Sequence, residues 1–449
     1  MCYISKNAHH VMTHTARIAD IGKPRIIIVG GGFAGIELAK SLRLADVQVV
    51  LVDKQNHHAF QPLLYQVATA GLEADSIVYP FRKIFDSQKN FYFRMAEVEM
   101  VDTVRQVVHT TIGEIKYDYL VVATGATTNF YGNDQIQHCA VPIKTIEDAI
   151  ALRNKILSNF ETALLTDDEE HMNSLIDYVV VGGGPTGVEI AGALAELKIH
   201  VFPQDYKELD FMKMDIHLIQ SGPRLLNGMS EEASQKALEF LKKLGVQVWL
   251  NCRVKSYDGY TVEFENGEKL ITRTLIWAAG VSGMPVPGLR EESLVKGNRL
   301  QVDIYNRVLG YKNVFAIGDV AAMITRSTPQ GHPMMAPPAM QQGKSLGKNL
   351  ICLLQGKPMK AFRYKDKGSM ATIGRNKAVV DLNAYKTQGV IAWFVWMFVH
   401  LISIVGYRNR LVVLMNWMWS YFSYDKGIRL IIGNKKEKLE TKERETVHF

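Results

Sequence analysis

The chain has 449 residues, enough for about three average domains. Hydrophobic residues make up 47% and charged residues 22% of it, an ordinary globular composition that excludes fibrous, collagen-like and wholly disordered proteins. Its formal net charge of +7 suits an anionic partner, either a nucleic acid or a membrane surface. The four cysteines stand singly and form no CxxC pair. They indicate reduced thiols in a cytosolic protein and support neither a metal site nor a disulfide framework.

The N-terminal stretch, residues 1–23, is predicted to be a disordered extension outside the fold. It contains histidines and one early arginine, but it lacks the continuous apolar core of a secretory signal.

One pattern then occurs twice: a β-branched run, a glycine cluster and apolar residues at helical spacing. The copies are IIIVGGGFAGIELAKSL from Ile26 and YVVVGGGPTGVEIAGALAEL from Tyr178. Strand, glycine turn and helix form the opening of a dinucleotide-binding βαβ unit, and two copies are much stronger evidence than one GxGxxG. Each copy is followed by an apolar strand that ends in a small-small-glycine turn, VVATGA or IWAAG.

A third such strand, NVFAIGD, is read as the return of the chain into the first domain. The predicted fold class is therefore α/β, with two Rossmann-like dinucleotide-binding domains, the second inserted in the first. The predicted organisation is a first dinucleotide-binding domain at 24–144 and 290–350, a second at 145–289, a C-terminal region at 351–434 and a charged tail at 435–449.

The first turn has the residue types that a bound dinucleotide requires, and Asp319 assigns this first domain to FAD. Gly30, Gly32 and Gly35 let a pyrophosphate approach the first turn of the following helix, whose free N–H groups attract the anion. Asp53 ends the next apolar strand, where a carboxylate accepts hydrogen bonds from the adenosine ribose, although an aspartate there can also simply cap a turn. Asp319 follows a glycine turn and suits the hydroxyls of a flavin ribityl chain.

The second turn uses Gly182, Gly184 and Gly187 and is assigned to a nicotinamide nucleotide. The corresponding strand-end residue is Gln220, which does not repel the extra phosphate of NADPH as an acid would, so NADPH remains open beside NADH. Glu189 either interacts favourably with the helix dipole or faces the nicotinamide and flavin.

The C-terminal region contains two apolar runs, at 390–405 and 411–422. As a helix the first is about 24 Å long, short of a ~30 Å hydrocarbon core. Tryptophans in both runs and the arginines Arg408 and Arg410 between them suit a lipid interface. We expect two helices lying in one leaflet; a core or dimer face and a true span are the alternatives.

These segments together resemble the type II NADH:quinone oxidoreductases, from Arg25 to about residue 432. Beside the glycine motifs, the resemblance rests on NHHAFQPLLYQVATAG from Asn56 and APPAMQQGK from Ala336, which are more specific to the family than GxGxxG. The family's quinone motif is usually AQxAxQ, and here Pro337 replaces the first glutamine, which makes Gln341 the surer quinone-side residue.

The resemblance implies the following site residues. The FAD contacts are Gly30, Gly32, Phe33, Ala34, Gly35, Asp53, Lys54, Ala123, Thr124, Gly125, Gly318 and Asp319. The nicotinamide-nucleotide side comprises Gly182, Gly184, Pro185, Thr186, Gly187, Glu189, Gln220, Ala279 and Gly280. The quinone side comprises Ala336, Pro337, Ala339, Met340 and Gln341, and the candidate catalytic residues are Glu189, Gln341 and Lys367. Lys367 can equally be a surface lysine on a turn.

The implied reaction passes a hydride from NADH to FAD and two electrons on to a membrane quinone. We expect a monotopic respiratory enzyme on the cytoplasmic face of the inner membrane, without proton pumping, without nucleic acid and as a homodimer. The rival in the same fold is a sulfide:quinone oxidoreductase or another flavin-dependent disulfide reductase, which needs paired cysteines at the flavin. Ubiquinone versus menaquinone, and one shared or two separate substrate sites, stay open.

Overall fold

We describe a computed structural model over residues 16–383, 385–423 and 429–431. Its residues divide into two compact units. Unit 1 comprises the chain up to His58, Pro80–Thr127 and Val281–Asp366; unit 2 comprises Ala59–Tyr79, Thr128–Gly280 and the chain from Lys367 onward.

The α-helices are numbered in chain order. They are α1 (Phe33–Ser41), α2 (Leu64–Ala68), α3 (Phe81–Ile84), α4 (Asp134–Cys139), α5 (Ile146–Ala163), α6 (Glu169–Ile176), α7 (Pro185–His200), α8 (Phe202–Asp205), α9 (Glu231–Lys243), α10 (Ala336–Leu354), α11 (Val390–Ser403) and α12 (Tyr407–Ser423).

The strands are numbered in the same way. They are β1 (Arg25–Val29), β2 (Gln48–Asp53), β3 (His57–Ala59), β4 (Val78–Pro80), β5 (Phe91–Met95), β6 (Val98–Asp102), β7 (Val107–Thr110), β8 (Gly113–Lys116), β9 (Tyr119–Val122), β10 (Ala126–Thr128), β11 (Val141–Pro142), β12 (Tyr178–Val181), β13 (Ile216–Ile219), β14 (Gln247–Trp249), β15 (Val254–Tyr257), β16 (Thr261–Phe264), β17 (Lys269–Ile271), β18 (Thr274–Trp277), β19 (Val281–Gly283), β20 (Leu294–Val295), β21 (Arg299–Val302), β22 (Val314–Ala316), β23 (Ala321–Met323), β24 (Ser369–Gly374), β25 (Lys377–Leu382) and β26 (Tyr385–Gln388).

Unit 1 is built on a parallel sheet with strand order β22-β9-β1-β2-β5. Ile28 of β1 pairs with Leu51 of β2 and with Val121 of β9, and all three side chains are fully buried. A parallel strand that is covered on both faces reads as an unbroken apolar run, which explains the β-branched segment before the first glycine turn. Leu38 of α1 and Leu346 of α10 belong to the core cluster on one face of this sheet.

Unit 2 repeats the design with a parallel sheet of order β11-β18-β12-β13-β14. An antiparallel sheet of order β24-β25-β26 also belongs to this unit and packs on α7. The approach is closest at Gly192 of α7, where a Cβ atom would overlap the carbonyl oxygen of Ile373 in β24. The missing side chain therefore lets the helix and the strand touch through their backbones.

The predicted fold class is confirmed, since each half carries a doubly wound parallel sheet that begins with a glycine-turn βαβ unit. The contact-defined units nevertheless differ from the predicted domain bounds. The chain passes from unit 1 to unit 2 between residues 127 and 128 and returns between 280 and 281. The predicted boundary between residues 350 and 351 falls inside α10. All of α10 lies in unit 1.

Two long-range features explain why unit 2 also takes in 59–79 and the C-terminal region. Asn409 of α12 donates to the carbonyl oxygens of Asp75 (3.3 Å) and Val78 (2.8 Å), and Asn416 donates to the Glu73 carboxylate at 2.6 Å. These bonds join segments more than 330 residues apart, and sequence periodicity carries no trace of them.

The predicted disordered extension over 1–23 requires a correction. Residues 1–15 lie outside the described residues, but 16–23 lie against unit 1. Arg94 donates to the carbonyl oxygens of Ala16 at 2.8 Å and Arg17 at 2.6 Å, and the Ala16 side chain is buried. The charged tail at 435–449 also lies outside the described residues.

The C-terminal region forms α11 and α12, and α12 begins one turn before the predicted apolar run. None of the helices in the described residues is both long and apolar enough to cross a bilayer.

Candidate functional site

The first glycine turn, in unit 1, joins β1 to α1. Gly30 has a φ of +103°, and a Cβ atom on it would overlap the carbonyl oxygen of Ala123. A Cβ on Gly35 would overlap the Gly30 carbonyl oxygen, so α1 can begin this close to β1 only with glycine there. At Gly32, by contrast, a Cβ would meet no protein atom within 4 Å, so the space in front of the helix start is open.

Asp53 at the end of β2 fastens this turn. Its carboxylate accepts the N–H of Gly31 at 2.6 Å and the N–H of Gln55 at 2.7 Å. Burial raises the pKa of Asp53, and the two backbone N–H groups oppose that shift. The following Lys54 is exposed. Open space, helix N–H groups and a strand-end carboxylate match the expected cradle for an adenine dinucleotide such as FAD.

The other predicted FAD-side residues of unit 1 gather round the same turn. Gly318, with a φ of +76°, would place a Cβ 3.1 Å from the Ala34 Cβ and 3.6 Å from the Ala339 Cβ. Thr124 donates to the carbonyl oxygen of Met284, and Gly125 has a φ of +75°. The structure thus brings the first turn, the Gly318–Asp319 turn and the start of α10 together. Phe33 packs edge-to-face on His58, with the ring centroids 4.9 Å apart.

Sequence reasoning missed Gln342 in this cluster. Its buried side-chain oxygen accepts the N–H of Gly318 at 2.7 Å and so fixes the turn that carries Asp319. The only signal in the sequence was the pair of adjacent glutamines in α10, of which the sequence analysis chose Gln341.

The predicted quinone residues lie at the start of α10 in unit 1. Gln341 holds the backbone of Lys365 at both ends of its amide: Nε2 donates to the carbonyl oxygen at 2.9 Å and Oε1 accepts the N–H at 3.0 Å. Ala339 is buried and Met340 is exposed, whereas Ala336 and Pro337 are half-buried. Lys367 is exposed and belongs to unit 2.

The second glycine turn, in unit 2, joins β12 to α7 and matches the first glycine by glycine. Gly182 has a φ of +114°, a Cβ on Gly187 would overlap the Gly182 carbonyl oxygen, and a Cβ on Gly184 would meet no protein atom within 4 Å. Pro185 occupies the first helical position, where its missing N–H has no cost, and Thr186 beside it is exposed.

Gln220 takes the place of Asp53 in this turn. Its Oε1 accepts the N–H of Gly183 at 2.9 Å, while its Nε2 donates to the carbonyl oxygen of Arg224 at 3.3 Å. Gly280, after the half-buried Ala279, has a φ of +90°, and a Cβ there would overlap the Tyr131 hydroxyl. The cradle fits a second dinucleotide and lacks a carboxylate at the strand end.

Glu189 lies one turn into α7 and is only 8% exposed. Burial raises its pKa to about 8, while the backbone N–H of Thr372 in β24, 3.4 Å away, and the Trp396 indole oppose the shift. The carboxyl group is therefore mostly protonated at neutral pH.

Glu189 lines a cavity of unit 2 that encloses about 110 Å³ of space open to water. Its walls come from α2, α7, β24, α11 and α12 and carry the side chains Tyr65, Gln66, Glu189, Glu196, His200, Arg375, Trp393, Trp396, Trp417 and Tyr421, among others. Pockets that combine aromatic walls with a few placed polar groups are typical of small-molecule sites.

The inner wall is held rigid by the tail helices. Trp396 is 1% exposed, and the His400 ring stacks on it at 4.1 Å between centroids. Burial lowers the pKa of His400 to about 4, so its imidazole is neutral at physiological pH. The Trp417 indole donates to Gln66 at 2.7 Å and thereby ties α12 to α2. From the sequence, the tryptophans were expected at a lipid interface rather than in a cavity wall.

The cysteines within the described residues form no disulfide. Cys139, Cys252 and Cys352 are each free thiols, and burial raises the pKa of Cys252. Cys2 lies outside the described residues.

Comparison with known proteins gives two matching family descriptions. Residues 24–343 match pyridine nucleotide-disulphide oxidoreductase, and residues 367–423 match the NDH2 C-terminal domain. A type II NADH:quinone oxidoreductase, Ndh, from Mycobacterium tuberculosis is 36% identical over 418 residues, which cover 90% of this chain and 89% of that protein. The type II NADH:quinone oxidoreductase of Haemophilus influenzae is 29% identical, over 83% of this chain and 91% of that protein.

Solved structures agree in fold. The structure of NDH2 from Plasmodium falciparum in complex with NADH has a TM-score of 0.83 at 21% identity, and it covers 92% of this chain and 100% of that one. The sulfide:quinone oxidoreductase of Aquifex aeolicus has a TM-score of 0.68 at 19% identity, over 89% and 95% of the two chains. At these identities both matches establish the fold alone. Because one family description covers most of the chain and the mycobacterial relative matches nearly all of it, this protein belongs to the type II NADH:quinone oxidoreductases, within the pyridine nucleotide-disulphide oxidoreductases.

Proposed function

We propose that this protein is a respiratory NADH dehydrogenase that transfers a hydride from NADH to FAD and then two electrons to a membrane quinone. The observation that carries the proposal is the course of α7. The helix begins at the second dinucleotide turn and carries Glu189 into a cavity walled by the tail helices. The helix α7 thus links the second dinucleotide turn to an aromatic cavity lined by α11 and α12.

The protein's share of the reaction is binding, positioning and electrostatics. FAD, bound at the first turn, supplies the two-electron redox chemistry. In the proposal Gly30, Gly32 and Asp53 hold it, and Gly182, Gly184 and Gln220 hold the nicotinamide nucleotide. The neutral amide of Gln220 leaves NADPH as a second donor.

On the acceptor side, Glu189 holds a proton that a quinone oxygen needs when it is reduced. A carboxyl group with a pKa of about 8 is protonated at neutral pH and gives up its proton readily, which is the range required of a general acid. Gln341 acts as a positioning residue, because both ends of its amide hold the Lys365 backbone. Lys367, exposed two residues before β24, approaches the quinone head group from solvent in this proposal.

The tail helices also supply a surface for the bilayer. The exposed stripe of α11 comprises Ile391, Phe394, Phe398 and Ile402, and that of α12 comprises Leu411, Met415, Trp419 and Phe422. Singly exposed apolar residues are ordinary, but two adjacent stripes mark an interaction face. In the first turn of α12, Arg408 is exposed and suits anionic headgroups, whereas Arg410 is half-buried and donates to the carbonyl oxygen of Ile404 at 2.8 Å.

The bilayer proposal is tested by sedimentation with vesicles that contain anionic lipid. The double variant Phe394→Ser/Phe398→Ser should lose most of the bound fraction because it removes two exposed rings. The matched control Met95→Ser/Met100→Ser changes two exposed apolar residues of unit 1 and should bind as the parent does. Equal binding by the two double variants would contradict docking through α11.

The reaction itself is tested with detergent-purified protein in a stopped-flow spectrometer. NADH should bleach a bound flavin, a short-chain quinone should restore its colour, and NADPH should be compared in the same assay. A flavin that NADH cannot bleach would overturn the proposal, and sulfide would then be the donor to try.

Three finer expectations belong to the same proposal. NADH is formed in the cytosol, which favours the cytoplasmic face of the inner membrane. In sealed vesicles NADH oxidation by the purified enzyme should build no proton gradient. A homodimer stays a prediction, and the sedimentation coefficient of the detergent-solubilised protein tests it.

A further inference from the structure

One face of α7 carries a row of polar side chains into the cavity. Glu189, Ala193, Glu196 and His200 follow one another at spacings of four, three and four residues, and all four line the same cavity. Residues at these spacings share one helix face. With a rise of about 1.5 Å per residue, the row from Glu189 to His200 spans about 16 Å. Glu189 is buried at the inner end, whereas Glu196 and His200 are half-buried at the outer end.

The Tyr65 hydroxyl lies within the influence of both carboxyl groups. Burial raises the pKa of Tyr65, and Glu189 and Glu196 each raise it further, so the phenol keeps its proton. The hydroxyl oxygen accepts a hydrogen bond from Gln66 Nε2 at 2.8 Å. Trp417 donates to the other end of the Gln66 amide, which fixes that orientation. The Tyr65 hydrogen is thereby left to point towards an acceptor other than Gln66.

Glu196 is fixed at the cavity wall. Its carboxylate accepts the backbone N–H of Arg375, in the turn between β24 and β25. The cavity beside it encloses about 110 Å³ open to water. Since one water needs only about 10–15 Å³ of such space, several waters fit between the row and the tail helices.

We propose that Glu196 and His200 deliver protons from solvent to Glu189, through the Tyr65 hydroxyl and the water of this cavity. The inference rests on the proposed function and deepens it. Reduction of a quinone balances as NADH + H⁺ + quinone → NAD⁺ + quinol. The hydride brings two electrons and one hydrogen nucleus, and the second proton comes from solvent. Glu189 is buried, so each turnover requires a route that reloads it.

The groups that face this route come from each surrounding element. They are Tyr65 from α2, Glu189, Glu196 and His200 from α7, and Arg375 from the β24–β25 turn. His400 of α11 stands behind Trp396. The Arg375 guanidinium donates to the carbonyl oxygen of Ser420 and lies 5.2 Å from the centre of the Tyr421 ring, so it closes the outer wall rather than relaying a proton.

The deciding variant is Glu196→Gln. The amide oxygen still accepts the Arg375 N–H, so the local fold is kept, but an amide does not carry a proton in this pH range. Reoxidation of the reduced flavin by a saturating short-chain quinone should slow about tenfold, and more at pH 9 than at pH 6, because solvent then supplies fewer protons. Millimolar imidazole should restore part of the rate by carrying protons into the open cavity, and Glu196→Asp should restore more than half.

The matched control is Glu208→Gln, which removes an exposed carboxylate outside the cavity and should reoxidise as the parent does. Tyr65→Phe keeps the ring and removes only the hydroxyl. It should slow reoxidation in the same direction, and it decides the question if Glu196→Gln is recovered without flavin.

Three results separate the inference from the function on which it rests. If the parent is not bleached by NADH or not reoxidised by quinone, the proposed function fails. If the parent does both while Glu196→Gln and Tyr65→Phe reoxidise within twofold of it from pH 6 to 9, only the proton route is overturned. Slower reoxidation with a raised quinone KM and no effect of imidazole assigns Glu196 a purely structural role and also overturns it.

Discussion

The two glycine turns of this protein have nearly the same sequence, yet the acidic residue on the helix that follows each turn lies in a different environment. Glu37 and Glu189 both lie two residues after the last glycine of the motif, in GGGFAGIE and GGGPTGVE. Glu37 is 25% exposed in its side chain and pairs with Lys40 at 3.4 Å. Glu189 is buried in the cavity with a pKa of about 8. The same motif position gives a surface ion pair in unit 1 and a buried, protonated acid in unit 2.

The difference comes from what covers each helix. The α1 helix packs on α10, whose Gly343 and Gly347 lie against it, and its outer face with Glu37 is left to solvent. The α7 helix has β24 against Gly192 and the tail helices beyond. The motif therefore specifies where the phosphate cradle lies, while the elements packed on the helix decide what its acidic residue can do.

The largest effect is expected from closing one cradle at a time. Gly35→Ala forces a Cβ into the Gly30 carbonyl oxygen and should yield protein without flavin, whereas Gly187→Ala should retain flavin that NADH bleaches only poorly. Flavin content and bleaching rate are the measurements. Gly228→Ala, where a Cβ meets no protein atom within 4 Å, is the control. Loss of flavin in both cradle variants would contradict the division of labour.

The second comparison sets Glu189→Gln against Glu37→Gln. The folded-state pKa of Glu189 is raised from 4.5 to about 8, so the folded protein holds a proton that the unfolded chain releases between these values. Stability from this group is present below about pH 4.5 and is lost as the pH rises to about 8. Glu189→Gln should remove this loss, which is about 5 kcal/mol at pH 9.

Glu37→Gln removes an exposed ion pair and should change stability by less than about 1 kcal/mol at any pH. Chemical denaturation of the holoprotein at pH 5, 7 and 9 measures both effects. Parallel pH curves for the parent and Glu189→Gln would show that Glu189 is ionised in the folded protein.

The third prediction concerns the strand-end residue of unit 1. Asp53→Asn keeps an oxygen that can accept the Gly31 N–H but removes the charge, so the turn should form and FAD should bind about tenfold to a hundredfold more weakly. A hydrogen bond to a charged group contributes about 1.5–3 kcal/mol. Titration of the apoprotein with FAD gives the affinity. Unchanged affinity would mean that Asp53 serves only as a cap for the turn.

The smallest effect is expected at the equivalent place in unit 2. Gln220→Glu introduces the carboxylate that unit 1 already has, and repulsion of the extra phosphate should raise the preference for NADH over NADPH about tenfold, or about 1.4 kcal/mol. The ratio of kcat/KM for the two nucleotides is the measurement. Gln204→Glu, an exposed position on α8, is the control. An unchanged ratio would place the 2′-phosphate away from Gln220.

The sequence alone predicted the two cradles because their requirements are local. Gly30 and Gly182 have φ angles above +100°, which favour glycine. Five residues later, a Cβ would strike the carbonyl oxygen of that same glycine. Both requirements are met within six consecutive residues. Their partners Asp53 and Gln220 stand at the end of the next parallel strand, β2 or β13. They were therefore found without knowledge of the fold.

The cavity was decided only by the tertiary structure. Tyr65, Glu189, Trp396 and Trp417 come from segments more than 300 residues apart at their extremes, and none of them stands in a pattern with the others. The tryptophans were expected at a lipid interface, yet Trp396 and Trp417 face inwards while Phe398, Trp419 and Phe422 are exposed. A helix that is apolar on every side has no periodicity that tells its inner face from its outer one. The packing of α2, α7 and β24 against α11 and α12 made that choice, and with it determined the protonation state of Glu189.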